Sequence, residues 1–225
     1  QVIESLTNAY KNSGFLSAHV GPLEQHLKGT EMSVVIPIEE GPKHRVRSIE
    51  IKNNISLEAL EIMTRLEGMT SGDPFVEPLK PGAAFSFVGM EDARVALTKL
   101  YREQGFLYAR VIADAAVDES TAEAAVLFRC EEGPEVRVGR ILVRGHQYTR
   151  ESVIRSRMAI QPQDVYRLEN ALRDQQSIGS LGVFSSVKVK VIDESQPEEV
   201  KDLLAEVSEQ KRQPVEVSWG FSTAD

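Results

Sequence analysis

The feature that most constrains the fold of this chain is an internal repeat with a spacing of about 91 residues. Residues 10–20 recur as residues 101–111, with a Gly-Phe pair and an Ala-x-Val pattern at matching positions. A Glu-Glu-Gly-Pro sequence at 39–42 recurs at 131–134. Because self-similarity at a fixed spacing is typical of repeat architectures, the chain is predicted to be a row of similar modules.

A third, shorter copy follows the second. Gly182 stands where Gly105 stands in the second copy, and an alternating apolar segment follows at 187–191. In this alignment Phe75 corresponds to Tyr166, which makes the middle copy longer between its two helices. The extra stretch, 76–89, is rich in proline and glycine and is predicted to be a loop.

The strand pattern of each copy predicts a small mixed sheet. Alternating apolar residues predict a first strand at 45–51 and at 137–143. The most apolar segments, 32–38 and 125–130, predict a last strand at the sheet centre. Pro37 lies in one of them, and we place it at the far end of that strand because proline cannot donate to a ladder.

Two predicted helices separate the first strand from the second. Ser56 and Thr149 are predicted N-caps of the first helix, each between apolar residues suited to a hydrophobic staple. A glycine is predicted to end the second helix in each copy, at Gly14, Gly105 and Gly182.

The resulting unit is β-α-α-β-β, an α+β fold with a three-stranded mixed sheet covered on one face by two helices. Because two helices reverse the chain twice, the second strand runs antiparallel to the first, and a hairpin brings the third strand back parallel to it. With the apolar third strand in the middle, the second strand lies at an edge. The predicted domains are a partial module at 1–43 (second helix and two strands), complete modules at 44–135 and 136–211, and a tail at 212–225.

Composition excludes several classes of function. Acidic residues outnumber basic ones, 34 to 26, which speaks against nucleic acid as a partner. No apolar stretch approaches the roughly 20 residues of a spanning helix. The first residues enter a helical pattern at once, so no signal peptide is expected.

No set of residues predicts catalysis or a bound metal. The four histidines are interpreted as solvated or turn residues, since none belongs to a zinc-binding motif. Cys130 lies in an alternating apolar run and is predicted to be a buried, structural thiol. The paired glutamates of Glu-Glu-Gly-Pro are interpreted as connectors between modules. We therefore expect no enzyme and no cofactor.

These residues carry a resemblance to a known family. A helix ending in Leu100-Tyr101 and Gly105-Phe106, followed by a Glu-Gly-Pro at 132–134, resembles a POTRA domain. Residues 181–184 are similar to the final POTRA module of the Omp85 family, and residues 207–223 to its passage into a membrane barrel. The resemblance implies tandem POTRA modules in the periplasm, tethered to the outer membrane through a β-barrel that is not present in this chain.

The resemblance also implies partners. They are unfolded outer-membrane proteins, accessory lipoproteins and the family's own C-terminal membrane β-barrel. The subfamily stays open between barrel assembly, two-partner secretion and autotransporter assembly. The alternative is a structural module of the cell-division type that bridges partners without handling clients, although tandem copies argue against it.

The second strand of each copy is the candidate binding site, because an open edge can accept an extended peptide by strand addition. Its candidate residues are Phe15, Leu16, Ala18, Val20, Phe106, Leu107, Ala109, Val111, Phe184, Val187 and Val189.

A basic strip is a second candidate surface. Residues 137–173 hold more basic than acidic side chains, and the strip consists of Arg137, Arg140, Arg144, Arg155 and Arg157. It is either a solvated face or a surface that meets anionic lipid or an acidic partner near the membrane.

Overall fold

The computed structural model describes residues 1–28 and 31–210. The helices are α1 (Val2–Asn12), α2 (Ala59–Glu67), α3 (Phe87–Glu103), α4 (Glu151–Arg155) and α5 (Leu168–Gly179). The strands are β1 (His19–Val20), β2 (Glu24–Lys28), β3 (Glu31–Val35), β4 (Ile38–Glu39), β5 (Arg45–Lys52), β6 (Arg110–Asp118), β7 (Glu123–Glu131), β8 (Arg137–Arg144), β9 (Phe184–Val191) and β10 (Val200–Glu209). None of the helices in these ranges has the length and apolar character needed to cross a membrane.

The chain divides into two compact units, Gln1–Glu135 and Val136–Asp225. The larger sheet of the first unit has the order β5-β7-β6, and the sheet of the second unit has the order β8-β10-β9. In each, the last strand is central, parallel to the first strand and antiparallel to the second. The predicted α+β fold and its strand order are therefore confirmed.

The core of the first unit lies between its helices and one face of the sheet. Ile62 and Leu66 of α2 and Leu97 of α3 are fully buried against Val126 and Phe128 of β7. Burying side chains of this size stabilises the fold by roughly 1.5–3 kcal/mol each, and these contacts join both helices to the sheet.

Residues 1–39 form a smaller arrangement in the first unit. Helix α1 precedes β1, which pairs antiparallel with β4, while β2 pairs with β3. The predicted continuous strand at 32–38 is wrong, because it breaks at residues 36–37. Pro37 lies in this break, and its carbonyl accepts the N–H of Gly21 at 2.8 Å. The missing donor of proline accounts for the interruption.

The predicted N-caps of the first helices are also wrong. Helix α2 begins at Ala59 after Glu58, and α4 begins at Glu151 after Arg150, three and two residues past the predicted caps Ser56 and Thr149. Hydrogen bonds to distant carboxylates hold Ser56 and Thr149 instead.

The proposed staple does not form in the first unit. Ile55 is 88% exposed and Leu60 is 75% exposed, so the two side chains do not bury each other. The predicted loop at 76–89 is too long, because α3 begins at Phe87. Ser86 is its N-cap and accepts the N–H of Gly89 at 2.9 Å.

A glycine with positive φ follows each second helix, where the sequence predicts the helix to end. Gly14, Gly105 and Gly182 have φ values of 99°, 108° and 70°. A side chain at Gly14 would also collide with its surroundings, because an added Cβ would lie 2.9 Å from the carbonyl oxygen of His44. A glycine with positive φ therefore follows the second helix in all three copies for the same backbone reason.

Candidate functional site

Strands β6 and β9 each lie at an edge of their sheet, as the topology predicts. Each pairs with the central strand on one side, and no other strand among residues 1–28 and 31–210 pairs with the opposite side. An edge of this kind presents a row of backbone N–H and C=O groups that an extended chain can pair with.

Strand β6 is the longer and more regular of these edges. It pairs with β7 over nine consecutive residues, from Arg110 opposite Glu131 to Asp118 opposite Glu123, without a register shift. The pairing of β9 with β10 shifts register near Glu209. Because bulges twist an edge away from incoming strands, the unbroken edge of β6 is the better template.

The predicted beginning of the edge strand is wrong in the first two copies. Phe106, Leu107 and Ala109 lie in a turn that precedes β6, where the Ala109 N–H donates to the Phe106 carbonyl at 3.0 Å. Phe15, Leu16 and Ala18 form the same turn before β1, in which the Ala18 N–H donates to the Phe15 carbonyl at 3.1 Å.

Aromatic packing explains this turn. The rings of Tyr101 and Phe106 meet edge to face with centroids 6.2 Å apart, and Tyr10 and Phe15 repeat the contact at 5.9 Å. The aromatic residue after glycine thus anchors the turn to the preceding helix, and the strand starts only afterwards. In the third copy Phe184, Val187 and Val189 lie within β9, as predicted.

Most side chains of the predicted edge residues point into the core. Ala18, Val20, Ala109, Val111, Phe184 and Val189 are buried, and Phe15, Leu16, Phe106, Leu107 and Val187 are half-buried. These side chains hold the edge in place, so a bound chain would meet mainly the backbone of β6 or β9.

The opposite edge of each sheet, which sequence analysis did not consider, is partly closed by the chain itself. Residues 82–85 pair with the beginning of β5, where the Val46 N–H donates to the Ala83 carbonyl at 2.9 Å. Residues 163–166 pair with the beginning of β8, where the Val138 N–H donates to the Asp164 carbonyl at 2.9 Å.

This closing segment is itself a repeat. Gly82 and Gln163 both have positive φ, 84° and 76°, and the buried aromatics Phe85 and Tyr166 follow at the same distance. The alignment of Phe75 with Tyr166 is therefore wrong: Phe85 is the corresponding residue, and Phe75 is exposed. An aromatic residue three positions after a turn residue was the sequence pattern that could have given the correct alignment.

Two carboxylates, those of Glu132 and Glu209, hold the loops that follow the first strands. The sequence led us to interpret Glu132 as a connector between modules, and Glu209 was not singled out. Glu132 is 9% exposed, and its carboxylate accepts the N–H groups of Ile55 and Ser56 at 2.7 and 2.9 Å. Its other oxygen accepts the Ser56 hydroxyl at 2.6 Å.

Glu209 has the same role in the second unit. Its carboxylate accepts the N–H groups of Thr149 at 2.8 Å and Tyr148 at 3.1 Å. Donation by the Thr149 amide, with smaller contributions from Tyr148 and Gln147, lowers the pKa of Glu209 from 4.5 to about 2. Because these bonds go to backbone donors, any residue could stand at the donor positions, which hides the contact in the sequence.

The basic strip is only partly available for a ligand. Arg140 forms a two-pronged ion pair with Asp202 at 2.6 and 3.0 Å, which raises the pKa of Arg140 and lowers that of Asp202. Arg155 pairs with Glu151 at 2.6 Å, and Arg137 donates to the Gln163 carbonyl at 3.2 Å.

Two arginines of the strip are less engaged. Arg144 and Arg157 are exposed and form no ion pair with residues 1–28 or 31–210. The strip therefore contains three arginines held by this chain and two that solvent surrounds. Its interpretation as a ligand surface stays a prediction.

Cys130 and His44, two residues whose side chains can carry chemistry, are both buried. No group of three or more His, Cys, Asp or Glu residues among residues 1–28 and 31–210 could hold a metal ion. Cys130 is buried, and burial raises the pKa of its thiol. His44 differs from the expected solvated histidine, because it is 0% exposed, with Nε2 3.3 Å from the Glu119 carboxylate.

Two successive β-α-α-β-β modules, each with one open edge strand, define a tandem of small α+β repeat domains. Residues 44–133 and 136–210 match the family model for POTRA, described as a surface antigen variable number repeat. The chain belongs to the POTRA family.

Curated relatives are larger proteins. The chain is 22% identical over 212 residues to the outer membrane protein assembly factor BamA of Nitratidesulfovibrio vulgaris, covering 94% of this chain and 26% of that protein. It is 19% identical over 228 residues to BamA of Neisseria meningitidis serogroup B, covering 98% and 27%. The chain thus spans about a quarter of the length of these relatives.

Solved structures share the fold. The crystal structure of POTRA domains 3–5 of Haemophilus influenzae BamA matches with a TM-score of 0.57 and 20% identity, over 92% of this chain and 78% of that chain. BamA of Haemophilus ducreyi lacking POTRA domains 1–3 matches with a TM-score of 0.53 and 14% identity, over 76% and 29%.

Proposed function

We propose that this chain is a periplasmic polypeptide-binding scaffold of an outer-membrane β-barrel assembly or translocation factor. The names of the BamA relatives support this proposal at the level of outer-membrane protein assembly. The scaffold binds unfolded outer-membrane proteins and docks accessory lipoproteins. It acts beside a membrane β-barrel of the same protein, toward which the tail at 212–225, outside the described residues, leads.

The domain organisation belongs to the same proposal. Residues 1–43 supply the second helix and the last two strands of a further POTRA module, with each strand broken into two short pieces, β1 and β2 and then β3 and β4. Residues 44–135 and 136–211 are complete modules, and each can present an edge. Exposed apolar side chains on β2 and β3, such as Leu27, Met32 and Val34, support the proposal that the first of these is a partial module.

The observation that carries the proposal is the unbroken outer edge of β6. A client strand added there would gain backbone hydrogen bonds, each contributing roughly 0.5–1.5 kcal/mol, without contacts to particular side chains. Recognition of this kind suits a receptor for many different unfolded clients. The core-facing side chains of the edge residues agree with it.

Proline substitution tests edge pairing. Along an antiparallel strand, neighbouring residues direct their N–H groups alternately to the partner strand and outward. Of the two variants Ala115→Pro and Ala116→Pro, one removes a bond to β7 and the other an outward donor. The variant that keeps the wild-type melting temperature is the outward one, and it should bind an unfolded barrel segment about tenfold more weakly or worse, measured by fluorescence anisotropy.

The two variants serve as each other's control, because they differ by one position in the same strand. Undiminished binding by a folded outward variant would show that clients do not pair with β6. If the wild-type chain binds no unfolded segment and only folded partners, the alternative of a bridging module of the cell-division type gains support.

A further inference from the structure

A groove runs between α2 and α3 on the helical side of the first unit. Its volume is about 1040 Å³. The residues that line it come from both helices, from the residue before α2 and from the turn after it: Glu58, Leu60, Glu61, Thr64, Arg65, Gly68, Met69, Thr70, Ala96, Lys99 and Leu100.

The groove has an apolar floor with one large unpartnered side chain. Leu100 is buried, and Met69 and Ala96 are half-buried along the groove. Leu60 lines the same groove but is 75% exposed. A leucine that borders an apolar floor and remains in solvent gains from a ligand that covers it.

The rim and the adjoining Glu103 together carry a small excess of negative charge, three carboxylates against two cations. Arg65 and Lys99 both pair with Glu103, at 3.5 and 3.7 Å, so the two cations already share a carboxylate. Glu58 and Glu61 lie on either side of Leu60 and form no ion pair with residues 1–28 or 31–210. Two free carboxylates therefore flank the exposed leucine.

We propose that this groove binds a basic amphipathic helix of a folded partner protein. An apolar stripe of the helix would cover Leu60, Met69 and Ala96, and lysine or arginine beside that stripe would meet Glu58 and Glu61. A helix fits better than an extended chain, because helical side chains line the groove and two helices accept a third by packing ridges into grooves.

The groove is independent of the edge of β6 in the residues it uses. The inference therefore goes beyond the proposed function: it concerns a folded, basic partner, whereas the edge strand binds unfolded clients. Charge on the rim would speed association and make it dependent on salt, and Leu60 would provide the apolar anchor.

The test uses two synthetic peptides of matched length with leucines on one helical face. One carries lysines beside that face, and the other carries glutamates at the same positions. Fluorescence anisotropy with the full chain should show that the lysine peptide binds at least about tenfold more tightly, and that added salt reduces the difference.

Variants locate the binding. Leu60→Ser should weaken binding of the lysine peptide about tenfold, and Glu58→Gln with Glu61→Gln should weaken it about threefold and reduce its salt dependence. Glu67→Gln is the matched control, since Glu67 is exposed on the same helix but does not line the groove. Circular dichroism confirms that each variant is folded.

Three results would overturn the proposal. In the first, the two peptides bind equally well. In the second, the groove variants bind like Glu67→Gln. In the third, the outward proline variant of β6 no longer binds the lysine peptide. The last result would place the peptide on the edge strand, and it is distinguishable from a failure of client binding, which uses an unfolded segment as its probe.

Discussion

At the residue scale, two glutamates organise the ends of the central strands. Glu132 on the segment after β7 and Glu209 on β10 each capture two consecutive amides of the loop that follows the first strand. Backbone amides outside helices and sheets need other acceptors, and one carboxylate can accept from two of them. The first helix of each module is thereby positioned by the last strand, which lies far away in the sequence.

Removing the buried carboxylate should be costly. Glu132→Ala leaves the amides of Ile55 and Ser56 without their acceptor, and we expect a loss of about 1–3 kcal/mol in the free energy of unfolding. Urea denaturation measures it. Glu131→Ala, an exposed neighbour, is the control and should change stability by less than about 0.5 kcal/mol. Equal effects of the two substitutions would contradict the role of Glu132.

Glu209 should make stability depend on acid. Its pKa is lowered in the folded chain, so its contribution is complete above its ordinary pKa of 4.5 and is lost as the pH falls toward about 2. Urea denaturation at several pH values should show a smaller decline over this window for Glu209→Gln than for the wild type. Parallel profiles would show that the carboxylate does not interact preferentially with the folded loop.

At the scale of elements, the sequence correctly predicts those helices and strands whose positions depend on local sequence patterns. The strand order, the second helices and the glycines after them follow from alternation, helical spacing and positive φ. The beginnings of the first helices do not, because Ser56 and Thr149 are held by carboxylates about 60 to 76 residues away. Likewise the turn at Phe106 replaces the predicted start of the strand, because its ring packs on Tyr101.

Glycine conformation gives the prediction at this scale. Gly14→Ala should destabilise the first unit by roughly 1–3 kcal/mol, since φ is +99° and the new Cβ would press on the His44 carbonyl. Gly72→Ala is the matched control, because an added Cβ there meets no atom within 4 Å and φ is not positive. Thermal and urea denaturation should separate the two variants. A similar loss of stability in the two variants would mean that neither the positive φ nor the close contact with the His44 carbonyl strains the turn in Gly14→Ala.

At the scale of the whole molecule, the repeat found in the sequence corresponds to two modules, residues 44–133 and 136–210, that match the POTRA family model. What the repeat could not locate is the extra length of the middle copy. The extra residues lie between α2 and the segment 82–85 that pairs with β5. From the sequence alone, either Phe75 or Phe85 can be aligned with Tyr166. Only burial distinguishes them, and burial depends on the fold.

The closing segments at 82–85 and 163–166 bear on how such a molecule avoids polymerising. A protein with an exposed edge strand can polymerise, because that edge of one molecule can pair with the opposite edge of the sheet in the next molecule. Here that opposite side, on β5 and β8, begins already occupied by the chain's own backbone. A second copy that approaches β5 or β8 therefore finds fewer unpaired backbone groups. A strand that approaches β6 finds the whole outer edge unpaired within the described part of the chain. Each module can therefore keep one edge open for strand addition while head-to-tail polymerisation is disfavoured.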